Sequence, residues 1–82
     1  MEMTIQEVKQ LDKNSYQIID IRDDNEIAHG AIPGAVALKV EEIEENPLVD
    51  KSKKLVICCS RGKYSQEVVP ELREKGLDAV SL

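Results

Sequence analysis

The sequence predicts an α/β domain, with a mostly parallel sheet of about four to five strands and helices on both of its faces. Two observations carry this. The runs Ile18-Ile19-Asp20-Ile21 and Leu55-Val56-Ile57-Cys58 put apolar residues on both sides of an extended segment, the mark of a strand covered above and below. Between such runs lie stretches with helical spacing, so strands and helices alternate, and that order implies parallel strands. With 82 residues, no internal repeat and no linker, residues 1–82 form one domain.

Each element has its own signal. Thr4-Ile5-Gln6-Glu7 has the form of a capping box, and Ile5, Val8 and Leu11 follow at helical spacing, which predicts a helix over 4–12. The turn-prone Asp12-Lys13-Asn14-Ser15 leads into a strand over 16–21. Asp23-Asp24-Asn25-Glu26 supplies N-cap and first-turn carboxylates for a short helix over 24–29, which Gly30 stops. Ile32-Pro33-Gly34 is a turn, 35–38 a short strand, and 40–45 a short acidic helix that ends at Asn46-Pro47. Lys51 to Lys54 is a solvated charge run before the strand at 55–58. From Ser65, the residues Val68, Val69 and Leu72 define a helical face that runs to Gly76. Pro70 inside that helix removes the bond to the Gln66 carbonyl at a cost of up to about 3 kcal/mol, which predicts a kink or a loosened first turn. Residues 79–82 are the last strand. The chain stops directly after it and leaves one sheet face without a last helix, as in a domain that lacks its C-terminal segment or ends in a disordered tail.

Composition excludes several function classes. Apolar residues make up 41% and charged residues 33%, ordinary for a folded domain, and with no Trp or Phe the core must be built from Ile, Val, Leu and Ala. The longest apolar stretch is far short of a membrane span. A net charge of −5 argues against nucleic-acid and anionic-membrane partners, both of which need a basic surface. The N-terminal MEMTIQEVKQ lacks the basic start and apolar block of a secretory signal, so the expected compartment is the reducing cytoplasm, where thiols stay free. A disulfide between the adjacent Cys58 and Cys59 would be strained in any case.

The chemistry concentrates at Cys59. In parallel α/β sheets ligands bind at the carboxyl ends of strands, and Cys59 falls at such an end. The loop Ser60-Arg61-Gly62-Lys63-Tyr64-Ser65 leads to the N-terminus of the next helix, so its N–H groups present partial positive charge to an anion held inside the curl. Gly62 lets the backbone turn, and Arg61 and Lys63 add mobile positive charge. The first anion within reach is the Cys59 sulfur. Helix N-termini and basic neighbours lower a thiol pKa from about 8.5 to about 3.5–7.5, so Cys59 is expected to be a thiolate at neutral pH. Cys58, one residue earlier on the strand, points the opposite way and reads as a buried core thiol.

Five stretches in order resemble the single-domain rhodanese-like sulfurtransferases: Thr4 to Val8, Ile18-Ile19-Asp20-Ile21-Arg22-Asp23, Gly30-Ala31-Ile32-Pro33-Gly34-Ala35, Cys59 to Ser65, and Gly76 to Val80. The resemblance implies a rhodanese-like three-layer fold. It also implies a thiosulfate sulfurtransferase-like enzyme that moves a sulfane sulfur from thiosulfate or a persulfide donor to a thiophilic acceptor through a Cys59 persulfide, without a cofactor or metal. A protein sulfur acceptor or a fused module is an implied partner. Ser60, Arg61, Gly62, Lys63, Tyr64 and Ser65 take the substrate-binding loop, with Asp20 and Arg22 in support. As charged residues at a strand end they either steer substrate or hold the loop, or pair with each other or with backbone donors, and the structural pairing is the favoured reading. The loop departs from the frequent Cys-Arg-x-Gly-x-Arg pattern: the first Arg is shifted to Arg61, and Tyr64 stands where the second would be. Ala31 replaces a frequent His, and His29 reads as a surface helix residue rather than a base.

Three rival functions fit these residues less well. Phosphatases and arsenate reductases of related fold use a longer loop closed by an Arg clamp, whereas the sixth residue after Cys59 is Ser65. A non-catalytic binding or regulatory module has no need of the retained Cys59. A metal held by Cys58, Cys59 and His29 fails on ligand count and on the opposed directions of adjacent strand side chains.

Overall fold

The computed structural model describes residues 2–28, 30, 32–59 and 63–82. Its elements in chain order are α1 (Ile5–Lys9), β1 (Tyr16–Asp20), α2 (Asp24–Ala28), β2 (Val36–Ala37), α3 (Val40–Ile43), β3 (Lys54–Cys58), α4 (Lys63–Glu74) and β4 (Ala79–Ser81). Among the described residues the four strands form one wholly parallel sheet in the order β2-β1-β3-β4. Register aligns Ile18 with Val56 and Val80, and Ile19 with Ile57 and Ser81.

Strand alternation sends these rows to opposite faces. One face carries Ile19, Leu55, Ile57 and Ala79 and is covered by Val68, Val69 and Leu72 of α4 and by Ile43 of α3. The other carries Val56 and Val80, capped by Val8 of α1, with Met3, Tyr16, Ile18 and Leu82 only half-buried around them.

Local chemistry sets the element ends. Thr4 Oγ1 accepts from the Glu7 N–H while the Glu7 carboxylate accepts from the Thr4 N–H, both at 3.1 Å, completing the expected capping box. The helix that follows is shorter than the expected 4–12, ending at Lys9. Asp23 caps α2 by accepting from the Glu26 N–H at 2.9 Å. β1 stops at Asp20 rather than 21, although Ile21 remains buried and its N–H still donates to the Cys58 carbonyl.

α4 begins at Lys63, two residues before the expected Ser65, and continues unbroken through Pro70. Pro70 and Gln66 are both exposed, so water reaches the carbonyl freed by the missing N–H and the helix need not break. At the other end Gly76 takes φ +88°, its N–H bonds to the Arg73 carbonyl, and the Leu77 N–H bonds to the Leu72 carbonyl. Those two bonds make a Schellman cap, and the buried pair Leu72 and Leu77 seals it. The chain is thereby delivered into β4.

Candidate active site

Strand order places the site. From β1 the chain crosses to β2 on one side, whereas from β3 it crosses to β4 on the other, so the connections diverge between β1 and β3. A crevice outside the carboxyl ends of strands at such a reversal is the usual ligand site of an open α/β sheet. Cys59 leaves β3 on that side, directly before the segment leading to α4, and Asp20, Ile21 and Arg22 leave β1 beside it.

Cys59 is half-buried and packs against the core face that α4 covers. The Ser65 N–H, in the first turn of α4, donates to Cys59 Sγ at 3.3 Å. First-turn N–H groups have no partner within their own helix, and a 12-residue helix directs its positive dipole end to the same place. Backbone and dipole therefore both favour negative charge on this sulfur. Of the expected loop, Cys59 and Ser65 are brought into contact, and Lys63 and Tyr64 provide the first turn of α4. Ser60, Arg61 and Gly62 lie outside the described residues, as do the side chains of Lys63 and Tyr64, His29 and Ala31.

Cys58 behaves differently. It is 4% exposed and belongs to the opposite side of the strand, facing the row that contains its register partner Asp20. Burial, with a smaller contribution from the Asp20 carboxylate, pushes its thiol up to about 11 from the ordinary 9.0. It stays protonated at neutral pH. The two cysteines thus point apart and cannot share a metal ion, and no trio of His, Cys, Asp or Glu is gathered for one among the described residues.

Asp20 and Arg22 pair with each other, as the sequence reading favoured. Arg22 Nε donates to both carboxylate oxygens of Asp20 at 3.0 Å, its terminal nitrogen donates to Oδ2 at 2.8 Å, and its own N–H donates to Oδ1 at 3.0 Å. The hydrogen-bonded carboxylate raises the Arg22 pKa above its ordinary value and so fixes its charge. The same terminal nitrogen donates to the Gly30 carbonyl at 2.8 Å, which ties the turn after α2 to the end of β1. A buried carboxylate is satisfied in this way without reaching toward Cys59.

Sequence reasoning missed two participants. The Gly30 carbonyl carries no side-chain signal at all. Ser81 does: its Oγ lies 2.6 Å from Ser65 Oγ with both residues buried, and a serine in the otherwise apolar run Ala79 to Leu82 was the clue.

The chain as a whole has relatives among known proteins. Residues 4–82 match the family described as rhodanese-like domain. YtwF of Bacillus subtilis is 35% identical over 79 residues, spanning 95% of this chain and 76% of the relative. Thiosulfate sulfurtransferase GlpE of Shewanella oneidensis is 37% identical over 74 residues, spanning 89% of this chain and 73% of the relative. Among solved structures, a rhodanese-like domain protein of Staphylococcus aureus superposes with a TM-score of 0.79 at 36% identity, covering 98% of this chain and 82% of that one.

Proposed function

The chain belongs to the rhodanese-like family, and on that premise we propose that it is a sulfurtransferase working through a persulfide on Cys59. The single observation that carries the reading is the Ser65 N–H donating to Cys59 Sγ at the head of α4. A sulfur held that way is stabilised as an anion, which is the reactive form of the nucleophile and also the form of the loaded product.

Two displacements complete the cycle. The Cys59 thiolate attacks the outer sulfur of thiosulfate, a new S–S bond forms, and the bond to the inner sulfur breaks, with sulfite leaving on its electron pair. The terminal persulfide sulfur is then attacked by a thiophile such as cyanide or a protein thiolate, and the Cys59 thiolate departs with the electrons of the S–S bond. No redox partner is needed. Ser60, Arg61, Gly62, Lys63, Tyr64 and Ser65 supply the N–H groups and positive charge that receive the donor. Asp20 and Arg22 act from behind, by holding the Gly30 turn. Thiosulfate as donor rests on the resemblance to GlpE. No helix of the described chain is long and apolar enough to cross a membrane.

Mass spectrometry of the intact protein tests the reading. After incubation with thiosulfate the protein should gain one sulfur atom, Cys59→Ser should abolish the gain, and Cys58→Ser should keep it. An unchanged wild-type mass would leave a binding module in place of an enzyme, and loading that follows Cys58 would overturn the assignment of Cys59 as the nucleophile.

A further inference from the structure

The hydroxyls of Ser65 and Ser81 form a buried polar pair on the α4 side of the sheet, 2.6 Å apart, with the residues 0% and 2% exposed. Replacing such a pair by two apolar groups is close to neutral for stability, so the fold alone gives little reason to keep two hydroxyls there. What distinguishes the position is its neighbour. Ser65 is the residue whose N–H meets the Cys59 sulfur.

Ser81 is itself firmly held. It pairs in register with Ile57 of β3, and its carbonyl accepts from the Met3 N–H at 2.7 Å on the outer edge of β4. Its hydroxyl therefore offers a fixed point on the sheet to the first turn of α4. Donors around a reacting atom must be held to within about 0.5 Å to be useful, and a helix end otherwise frays within its first turn.

We propose that Ser81 is a positioning residue, whose hydroxyl anchors Ser65 and so sets the distance and direction of the Ser65 N–H at the Cys59 sulfur. The chemical value of that anchor rests on the persulfide reading, but the anchor acts on the unloaded thiol and is measured there. Alkylation of Cys59 by iodoacetamide across pH, in the full chain without any sulfur donor, reports the ionisation midpoint.

Ser81→Ala should move that midpoint upward and lower kcat/KM for thiosulfate by about tenfold, less than the loss that follows outright deletion of an anion donor. Ser65→Ala keeps the amide but removes the other half of the bond, so it should give the same upward shift, and the double variant should add nothing further. Ser81→Thr, which restores a hydroxyl on a residue suited to a strand, should return the midpoint toward wild type. The proposal is overturned if Ser81→Ala and Ser65→Ala leave the midpoint at its wild-type value, whatever they do to the unfolding temperature. Should Ser81→Ala not fold, the Ser65→Ala midpoint decides. Sulfur loading of the wild type tests the parent reading separately, so failure of one is not mistaken for failure of the other.

Discussion

The two thiols should differ in reactivity by orders of magnitude although they are neighbours in sequence. Cys58 is 4% exposed with its thiol pushed up to about 11, so at pH 7 about one molecule in 10⁴ carries the thiolate there. An ordinary thiol at 9.0 would be ionised in about one molecule in 10², so the raised pKa slows alkylation about a hundredfold before access is counted. Cys59 is only half-buried, with an N–H donated to its sulfur. The perturbation is iodoacetamide at pH 7, sampled over time and digested with trypsin. Lys54 and Arg61 release a peptide over 55–61, in which fragment ions between Cys58 and Cys59 separate the sites. Cys59 should be consumed at least a hundredfold faster, and the gap should collapse in concentrated urea. Equal rates in the folded protein, or modification of Cys58 first, would refute the assignment of one reactive and one protected thiol.

The same burial makes stability depend on alkaline pH. Below about pH 9 the Cys58 thiol is protonated in both folded and unfolded chains and contributes nothing; between about 9 and 11 only the unfolded thiol ionises, so stability falls as pH rises, by at most about 3 kcal/mol. Cys58→Ala should flatten the urea midpoint through that window relative to wild type. At the end of α4, Gly76 sits at φ +88° with nothing within 4 Å of an added Cβ, so Gly76→Ala costs only backbone energy. The left-handed penalty of about 1–2 kcal/mol, partly offset by a stiffer unfolded chain, should lower stability by about 1 kcal/mol and the melting temperature by about 4–8 °C. An unchanged or raised melting temperature would count against the cap.

Much of this architecture can be read before any coordinates, because its signals are local. The double-sided apolar runs mark β1 and β3, Thr4 and Glu7 cap α1 reciprocally, and Gly76 ends α4 as its spacing from Leu72 implies. Element ends are less legible. Ile21 is apolar and buried yet lies outside β1, and α4 gains Lys63 and Tyr64 ahead of the apolar stripe that announces it. The contact between Cys59 and Ser65 was anticipated, since a strand end, a short loop and a helix start leave few other places for that N–H. Ser81 was not, for its partner is 16 residues away and the pairing exists only once β4 lies beside β3. The Gly30 carbonyl was out of reach for a different reason: main-chain acceptors are the same at every residue, and only the folded path selects one.

Because Cys58 and Cys59 look out from opposite sides of one strand, a sulfenic acid formed on the outer sulfur by peroxide has no thiol of this sequence to condense with. Rescue then needs a thiol other than Cys58, such as a small thiol that caps the oxidised sulfur before it climbs irreversibly to the sulfinic acid. Cys58 therefore cannot serve as a resolving partner, and the lifetime of the reactive sulfur follows whichever other thiols can reach it.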